Sequence, residues 1–417
     1  MFNIPADSPN ADTPSGRRSS RAGTALAALA LGGAFLGYEI GSGVAEAANT
    51  ADFVDHGSFL LQGDPGLDDG ELTELVGYVE TATGRRFEEP PRIVVQSPED
   101  YREQLADVDE TELGDASELE ARYLQAVVGD DRTPTEVADL TVEMMTTGFA
   151  GYYDPETDQL YLPAAPGEPA TDRTRSVLVH ELTHALDDQY VDLAALINPS
   201  GSDEAADAFA DREAVTSAQI ILEGRAMSVQ NSWNEANGVV LTAEPEEIEL
   251  QSKLPLATGL SLALPYEIGP LYIDAVGGPE ATGYVLDDPL PSTDELVFGP
   301  TAASITVPAP TVDGEVLAEW ELGAAELYVS MVADHGAVTP EVAQAVGAAV
   351  DGWAGGTAVL TGDDTESCVA GTVVMEDETE AAELAVALDA WAARNEGRTV
   401  SVEADTVSFT GCAPYRS

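Results

Sequence analysis

The sequence predicts an α+β fold, and three observations lead to this expectation. Segments with helical periodicity recur along the chain, short β-rich runs bounded by turn residues lie between them, and the C-terminal end alternates strand and helix patterns. With 417 residues, the chain is long enough for two or three domains. We divide it into a targeting segment (1–48), an N-terminal α/β region (49–135), a central domain (136–350) and a C-terminal α/β subdomain (351–417).

The targeting segment has the pattern of an export signal. A basic stretch with Arg17-Arg18 precedes the apolar run 22–36, and small residues around Ala45 and Ala47 offer a cleavage site. The arginine pair resembles a twin-arginine signal. The alternative is an uncleaved membrane anchor, although the run is shorter than the ~20 apolar residues that a spanning helix needs. We therefore expect an extracellular or cell-surface protein, attached to the membrane if the segment is retained.

Helices and strands are expected in the order that follows. The sequence predicts a helix over 70–83, a strand over 92–96, a helix beginning after Ser97, helices over 118–128 and 135–146, a hairpin over 151–162, a helix from 171 or 172 to about 196, a helix from 203 to about 229, helices over 316–333 and 340–350, strands over 357–360 and 369–375, a helix over 378–395 and a last strand over 399–410. An Asp-Pro-Glu-Thr turn supports the hairpin, and Asn-Pro-Ser-Gly ends the helix before it reaches residue 200. Residues 238–314 are rich in Pro and Gly and give no clear pattern.

The chain is strongly acidic, with 76 acidic and 17 basic residues and a net charge of −59. Self-repulsion of this size destabilises a compact state at low ionic strength, whereas molar salt shortens the Debye length to about 3 Å. Because the acids are spread along the whole chain, adaptation to a very salty medium is favoured over a specific cationic partner. We expect no nucleic-acid partner, since no basic patch is present to neutralise phosphates.

Cys368 and Cys412 are the only cysteines. Export would place them in an oxidising compartment, where a disulfide is plausible and would stabilise the fold by roughly 4 kcal/mol. Two free thiols are the alternative.

The strongest chemical signal is the run His180-Glu181-Leu182-Thr183-His184. On a helix, two imidazoles four residues apart lie on one face, with about 6 Å between their Cβ atoms, where both can bind one ion. Apolar neighbours would keep the imidazoles rigid. The run therefore predicts a zinc (Zn²⁺) site with Glu181 beside it, and the alternative is an ordinary helix with two hydrogen-bonded histidines.

A catalytic zinc site takes three protein ligands and leaves one position to water. No third histidine follows at a short spacing, so a carboxylate from a later helix is expected. Glu223 interrupts an apolar run and is followed by Gly224 and Ala226, which leave room for close helix packing. Glu213 lies in a more polar stretch but belongs to a Glu-Ala-Val-Thr-Ser segment like that of thermolysin-like enzymes. We favour Glu223 and keep Glu213 open.

In this hypothesis, zinc lowers the pKa of its water toward ~7 and Glu181 acts as general base. Asp187 and Asp188, one turn after His184, could orient a ligand, or could simply lie at a solvated helix end. Candidates for a donor that stabilises the oxyanion are His335, Tyr152, Tyr153 and Tyr266, each of which could instead be structural.

The motif resembles that of the gluzincins, whose thermolysin-like members carry the same His-Glu-Leu-Thr-His-Ala run. More specifically, the chain resembles exported zincin-like proteins of haloarchaea and actinobacteria, whose substrates are largely unassigned. The segments that carry this resemblance are 153–157, 180–189, 223–226, 291–296 and 352–355. The resemblance implies a zincin-like metallopeptidase core, a bound zinc ion and Glu223 as the third ligand.

Three functional hypotheses remain. The first is a zinc metallopeptidase that hydrolyses a protein or peptide, with the hairpin as an edge strand that pairs with an extended substrate. The second is a non-catalytic, zinc-stabilised extracellular binding or envelope protein, in which Glu181 would have no evident use. The third is a latent protease activated by removal of the segment before about residue 151. The sequence indicates no oligomeric state.

Overall fold

The structure, a computed structural model, describes residues 53–106, 110–148, 150–165, 167–202, 204–281, 290–299 and 304–417. The targeting segment lies outside these residues. Helices and two five-stranded sheets alternate along the chain, so the α+β class is confirmed. No helix in the described part of the chain is both long enough and apolar enough to cross a membrane.

The strands are β1 (Val54–Asp55), β2 (Leu60–Gln62), β3 (Arg92–Gln96), β4 (Tyr152–Asp154), β5 (Gln159–Pro163), β6 (Val316–Trp320), β7 (Trp353–Gly362), β8 (Glu366–Met375), β9 (Arg398–Glu403) and β10 (Thr406–Pro414). The helices are α1 (Asp69–Thr83), α2 (Pro98–Ala106), α3 (Glu110–Tyr123), α4 (Pro134–Gly148), α5 (Asp172–Asp188), α6 (Leu193–Ile197), α7 (Ala205–Ala210), α8 (Arg212–Asn237), α9 (Pro245–Lys253), α10 (Leu256–Val276), α11 (Thr293–Phe298), α12 (Ala324–Asp334), α13 (Pro340–Val350) and α14 (Glu378–Ala392). A π-helical turn, Leu124–Val128, continues α3.

The first sheet has the order β1-β2-β3-β5-β4, with β2, β3 and β5 parallel and the two outer strands antiparallel. Successive residues of β3 and β5 point to opposite faces. Ile93 and Leu160 pack against α1 and α5, whereas Val94 and Tyr161 pack against α2 and α4. The sheet thus separates two cores, and the helix with the His-Glu motif, α5, lies on one of its faces.

The second sheet is antiparallel throughout, in the order β6-β7-β8-β10-β9. Its buried face packs against α12 and α14 through residues such as Val373, Phe409 and Leu388. Cys368 and Cys412 lie directly opposite each other on β8 and β10 and form a disulfide, which settles the alternative left open by the sequence. The disulfide therefore links two neighbouring strands of the C-terminal sheet that are also joined by backbone hydrogen bonds.

Several predicted elements have the expected positions. The strand 92–96 is found with the same bounds, Ser97 Oγ accepts a hydrogen bond from Asp100 N at the start of α2, and the hairpin consists of β4 and β5. Each sheet takes strands from both sides of a proposed domain boundary: β1–β3 precede residue 136 and β4–β5 follow it, while β6 precedes residue 351 and β7–β10 follow it.

Two helix predictions were wrong in their extent. The helix predicted to reach about residue 196 ends at Asp188, because Asp188 Oδ1 accepts from Leu193 N and Asp192 caps the separate helix α6. The helix predicted over 203–229 is divided at Asp211, whose carboxylate accepts a hydrogen bond from Ser200 N. Its second part, α8, continues to Asn237, eight residues beyond the prediction.

Two further predictions were wrong in type. Residues 316–320 form β6, paired with β7, and α12 begins only after Gly323. The predicted strand 399–410 is a hairpin of β9 and β10, which turns at Ala404 with a positive φ of 54°. The unassigned stretch 238–314 contains α9, α10 and α11.

Candidate metal centre

The two histidines of the motif lie on one face of α5. Thr171 caps this helix through a hydrogen bond from Thr174 N, and the helical spacing brings His180 Nε2 within 3.1 Å of His184 Nε2. Two imidazole nitrogens at this separation repel each other through their lone pairs unless a proton or a cation lies between them. The helix therefore presents a two-nitrogen cation site.

Glu223 on α8 completes the group. Its Oε2 lies 3.0 Å from His180 Nε2 and 3.6 Å from His184 Nε2. The neighbouring Gly224 crosses Gly269 of α10 so closely that a Cβ on Gly224 would lie 2.4 Å from the Gly269 carbonyl carbon. The close helix packing expected from Gly224 is thus observed, and it places α8 where Glu223 reaches both histidines.

This donor set fits a zinc ion. Ligand atoms 2.0–2.1 Å from a tetrahedral zinc lie about 3.3 Å from one another, and the three observed separations are 3.0, 3.1 and 3.6 Å. The three side chains are only 9–11% exposed. A carboxylate buried to this extent needs a charged or metal partner. Among the described residues the group has three ligating side chains, the number found in catalytic zinc sites that keep one open position.

A hydrogen-bond chain sets the orientation of His180. Gln230, seven residues after Glu223 on α8, places Oε1 at 3.2 Å from His180 Nδ1 and donates from Nε2 to Ser176 Oγ at 2.9 Å. Because Gln230 Nε2 is used by Ser176, its Oε1 accepts from Nδ1–H. His180 Nε2 then carries the lone pair and points toward Glu223, as a metal ligand requires.

Glu181 lies beside this group and is buried. Burial raises its pKa above the usual range, and the positive charge that His180 and His184 can carry acts in the opposite direction. The backbone N–H of Tyr153, on the outer strand β4, also donates to its carboxylate. The carboxylate is therefore held between the two histidines and the edge of the first sheet, with a proton affinity higher than that of a solvated glutamate.

Electrostatics favour an ionised Glu223. Burial alone would raise the pKa of this carboxyl, but His184 and His180 together lower it well below its usual range. Burial alone would lower the pKa of His184, but the charge and hydrogen bond of Glu223, together with the charge of Glu181, raise it above its usual range. The group thus has the carboxylate charge that a divalent cation needs.

Glu213, the competing ligand candidate, lies elsewhere. It is buried, and its two carboxylate oxygens accept from Thr293 N at 2.7 Å and Thr293 Oγ1 at 2.9 Å. Burial raises its pKa to about 8. Glu213 therefore stabilises the start of α11, and Glu223 is the glutamate that the structure brings to the histidines.

The expectation that Asp187 and Asp188 orient a histidine finds no support in their contacts. Asp187 forms a fully buried ion pair with Arg225 on α8. Asp188 accepts a hydrogen bond from the Tyr153 hydroxyl at 2.6 Å. Neither lies at a solvated helix end, and the side chain hydrogen-bonded to His180 is Gln230.

The four candidates for an oxyanion donor lie in different surroundings. The hydroxyl of the first, Tyr153, donates to Asp188. Tyr266 stacks its ring on His180, with 6.3 Å between the ring centroids. The Tyr152 hydroxyl accepts from Gln104 Nε2 at 2.6 Å. His335 is exposed at the end of α12, where Asp334 and Arg394 are its charged neighbours, and it is not part of this centre.

Sequence reasoning missed three residues of this region: Gln230, Arg225 and Tyr101. A signal existed for Gln230, because a position seven residues after Glu223 lies on the same helix face. Arg225 was recognisable only as a charge inside an apolar run. For Tyr101, which lies on α2 close enough to Glu181 for the two groups to interact electrostatically, the sequence offered no signal.

Comparisons of the chain with protein-family models, with curated proteins and with solved structures found no match.

Proposed function

We propose that this chain is a zinc-dependent metallopeptidase of the gluzincin type with a zincin-like core. The observation that carries the proposal is the convergence of His180, His184 and Glu223 beside the buried carboxylate of Glu181. A purely structural zinc site uses four protein ligands and has no need of a neighbouring base. Export of the protein through its N-terminal segment remains part of this proposal.

The zinc ion, when bound by His180, His184 and Glu223, would activate a water molecule and polarise the substrate carbonyl. Glu181 would take the proton of the attacking water and pass it to the leaving amine. Its raised pKa suits the first transfer, because a carboxylate with a higher proton affinity accepts the proton more readily. Tyr153, through its backbone N–H, would keep the carboxylate facing the reacting atoms.

The position of β4 supports an extended peptide as substrate. This strand is the last in the order of the first sheet, it pairs antiparallel with β5, and Tyr153 within it contacts Glu181. An extended chain can add to such an edge through main-chain hydrogen bonds. A peptide bound there would pass next to the general base.

The test combines zinc content with hydrolysis of a labelled denatured casein, with the protein kept in molar salt. Glu181→Gln should retain one zinc per chain and lose activity by about 10²–10⁴-fold. Glu223→Gln should lose zinc, whereas Glu213→Gln should keep both zinc and activity. Glu235→Gln, an exposed position on the same helix as Glu223, is the matched control.

The alternative, a non-catalytic zinc-stabilised binding protein, makes a different prediction. It requires stoichiometric zinc with no hydrolysis by the wild type over several protein substrates and salt concentrations. Absence of zinc from the wild-type protein would contradict both hypotheses.

A further inference from the structure

Strand β9 is an open edge of the second sheet. It is the last strand in the order β6-β7-β8-β10-β9, and it pairs with β10 over its whole length without a register shift. No strand among the described residues pairs with its other side. An edge of this kind presents a row of unpaired backbone N–H and C=O groups, which can bind a further strand.

The other three edge strands are shorter, interrupted or face the metal centre. β1 has only two residues. β4 has three, is followed by Pro155, and directs the Tyr153 N–H toward the carboxylate of Glu181. β6 has a register shift near its start and carries the exposed Glu319. Short length, bulges, proline and charged side chains all protect a sheet edge from pairing, so β9 is the edge with the least protection.

The exposed part of β9 is uncharged except at its end. Arg398, the first residue, is buried and forms an ion pair with Asp334. Residues 399–402 are Thr, Val, Ser and Val, and Glu403 beside the turn carries the one exposed charge of the strand. Because the whole chain has a net charge of −59, an acidic surface repels a second copy. The uncharged edge lets two copies approach each other with less repulsion.

Val402 is an exposed apolar side chain on this strand. Its exposed fraction is 51%, whereas Val400, two residues earlier on the same face of the sheet, packs against the hydrophobic core. Cross-strand pairs of β-branched side chains stabilise a sheet, and covering an apolar side chain is favourable. A partner strand with an apolar side chain opposite Val402 would supply both contributions.

One hydrogen bond shows which backbone groups of β9 are open. Cys412 N donates to the Gly397 carbonyl at 3.2 Å, so residue 397 directs its backbone groups toward β10. In an antiparallel ladder, the backbone groups of successive residues point alternately to one side and to the other. The N–H and C=O groups of Val400 and Val402 therefore point away from β10, toward the open edge.

We infer that β9 is the interface of a homodimer, in which β9 of one copy pairs antiparallel with β9 of a second copy and the two C-terminal sheets become one continuous sheet. A two-fold axis at Ser401 places Val400 of each copy opposite Val402 of the other. Each of these two pairs exchanges both of its N–H and C=O groups, which gives about four backbone hydrogen bonds between the copies. This inference does not depend on the proposed peptidase function.

This register also keeps like charges apart. Glu403 lies two residues beyond Ser401, so the two Glu403 side chains would be separated by four residue positions, about 13 Å along the strands. The separation exceeds the Debye length of about 3 Å in molar salt. Repulsion between the two acidic copies is screened in the same way, so association should become stronger as the salt concentration rises.

The contact between two such edges is small. Stable interfaces bury roughly 1,200–2,000 Å², and a single pair of short strands buries less. We therefore expect a reversible dimer with a dissociation constant in the micromolar range.

The first test is sedimentation velocity of the full chain over a range of protein and salt concentrations. The wild type should dimerise in molar salt, and its dissociation constant should rise as the salt is diluted. Val402→Glu should raise that constant by about 10–100-fold in molar salt, because the substitution brings a charge into the contact. The matched control is Val316→Glu, at the opposite edge of the same sheet, where Val316 is 52% exposed. This control should dimerise as the wild type does, and both variants should keep the wild-type urea midpoint.

The second test is a cross-link at the two-fold axis. Directly opposite residues of a non-hydrogen-bonded pair have Cα atoms about 4.5 Å apart, within the range of a disulfide. The two native cysteines are paired with each other, so Ser401→Cys adds the one free thiol of the chain. Mild oxidation should give a covalent dimer. Ser408→Cys, opposite Ser401 on β10 and therefore one strand away from the edge, should give none.

Four results would overturn the inference. The wild type could remain monomeric in molar salt at high protein concentration, or Val402→Glu could dimerise as well as Val316→Glu does. Ser401→Cys could give no covalent dimer although the wild type dimerises, which would assign the contact to another surface or register. A monomeric wild type that binds a synthetic peptide of residues 398–403, and loses it in Val402→Glu, would assign the edge to an extended peptide of another protein.

Discussion

The ion pair between Asp187 and Arg225 joins the two helices that carry the metal-site residues, and its removal should weaken both the fold and the site. Asp187 follows His184 by three residues on α5, and Arg225 follows Glu223 by two on α8. Both side chains are 0% exposed, and Arg225 Nε also donates to the Pro279 carbonyl at 3.0 Å. Burial lowers the pKa of Arg225 to about 10, which still leaves the guanidinium charged at neutral pH.

Arg225→Met removes one charge and leaves the Asp187 carboxylate buried without compensation. Breaking a buried pair in this way costs about 3–5 kcal/mol, a large share of the roughly 5–15 kcal/mol by which a domain is stable. Because α5 and α8 lose their fixed spacing, zinc affinity should fall by about 10–100-fold, the range for residues that support metal ligands. The double variant Asp187→Leu/Arg225→Met should lose less stability than Arg225→Met alone, since no unpaired charge remains.

The assay is urea unfolding in molar salt, with zinc and after chelation, together with zinc titration against a chromophoric chelator. The control is Arg416→Met, which breaks an exposed pair with Asp131 and should change the unfolding free energy by less than about 1 kcal/mol. The reasoning is refuted if Arg225→Met is no more costly than Arg416→Met. It is refuted equally if the double variant loses as much stability as Arg225→Met alone.

Two further predictions concern Glu213 and Gly224. The pKa of Glu213 is about 8 in the folded chain and lies near 4.5 when unfolded, so the folded state binds the extra proton between these values and stability contributed by this group falls as pH rises. The free energy of unfolding of Glu213→Gln, measured by urea unfolding, should therefore rise relative to that of the wild type by up to about 1.4 kcal/mol per pH unit from pH 5 to 7.5. A difference between the two proteins that does not change with pH would contradict the pKa of Glu213. Gly224→Ala should push α8 from α10, cost about 1–3 kcal/mol and weaken zinc binding, because its Cβ would overlap Gly269. Gly77→Ala, where no atom lies within 4 Å of the added Cβ, should instead be neutral or stabilising, and equal effects of the two alanines would refute the packing argument.

Local patterns predicted the elements whose structure depends on nearby residues. The four-residue spacing of His180 and His184 brings their nitrogens together on any regular helix, and the turn residues of the β4–β5 hairpin are adjacent in sequence. The small residues after Glu223 predicted close helix packing, and the structure shows it where Gly224 of α8 crosses Gly269 of α10. These features follow from helix and turn geometry, which acts over a few residues.

Predictions failed where a distant partner decides the conformation. Residues 316–320 have a helix-like pattern but form β6, because β7 offers a strand to pair with about forty residues later. The helix predicted to reach residue 196 stops at Asp188, whose carboxylate accepts from Leu193 N instead of remaining in solvent. In each case a tertiary contact or a side-chain hydrogen bond outweighs a weak intrinsic preference.

The choice between Glu223 and Glu213 shows most clearly which features the sequence predicts and which features depend on tertiary contacts. Sequence reasoning expected Glu223 to be buried and Glu213 to be more solvated, yet both are buried. The two glutamates differ in their partners. Thr293, 80 residues after Glu213, donates hydrogen bonds to the Glu213 carboxylate, whereas the histidines of α5 contact the Glu223 carboxylate. The sequence by itself determined the pair of imidazoles and the acid between them. Only the tertiary structure decided which glutamate joins them, that Gln230 orients His180, and that Tyr101 lies near Glu181, because these contacts join segments that helix and strand periodicity cannot relate.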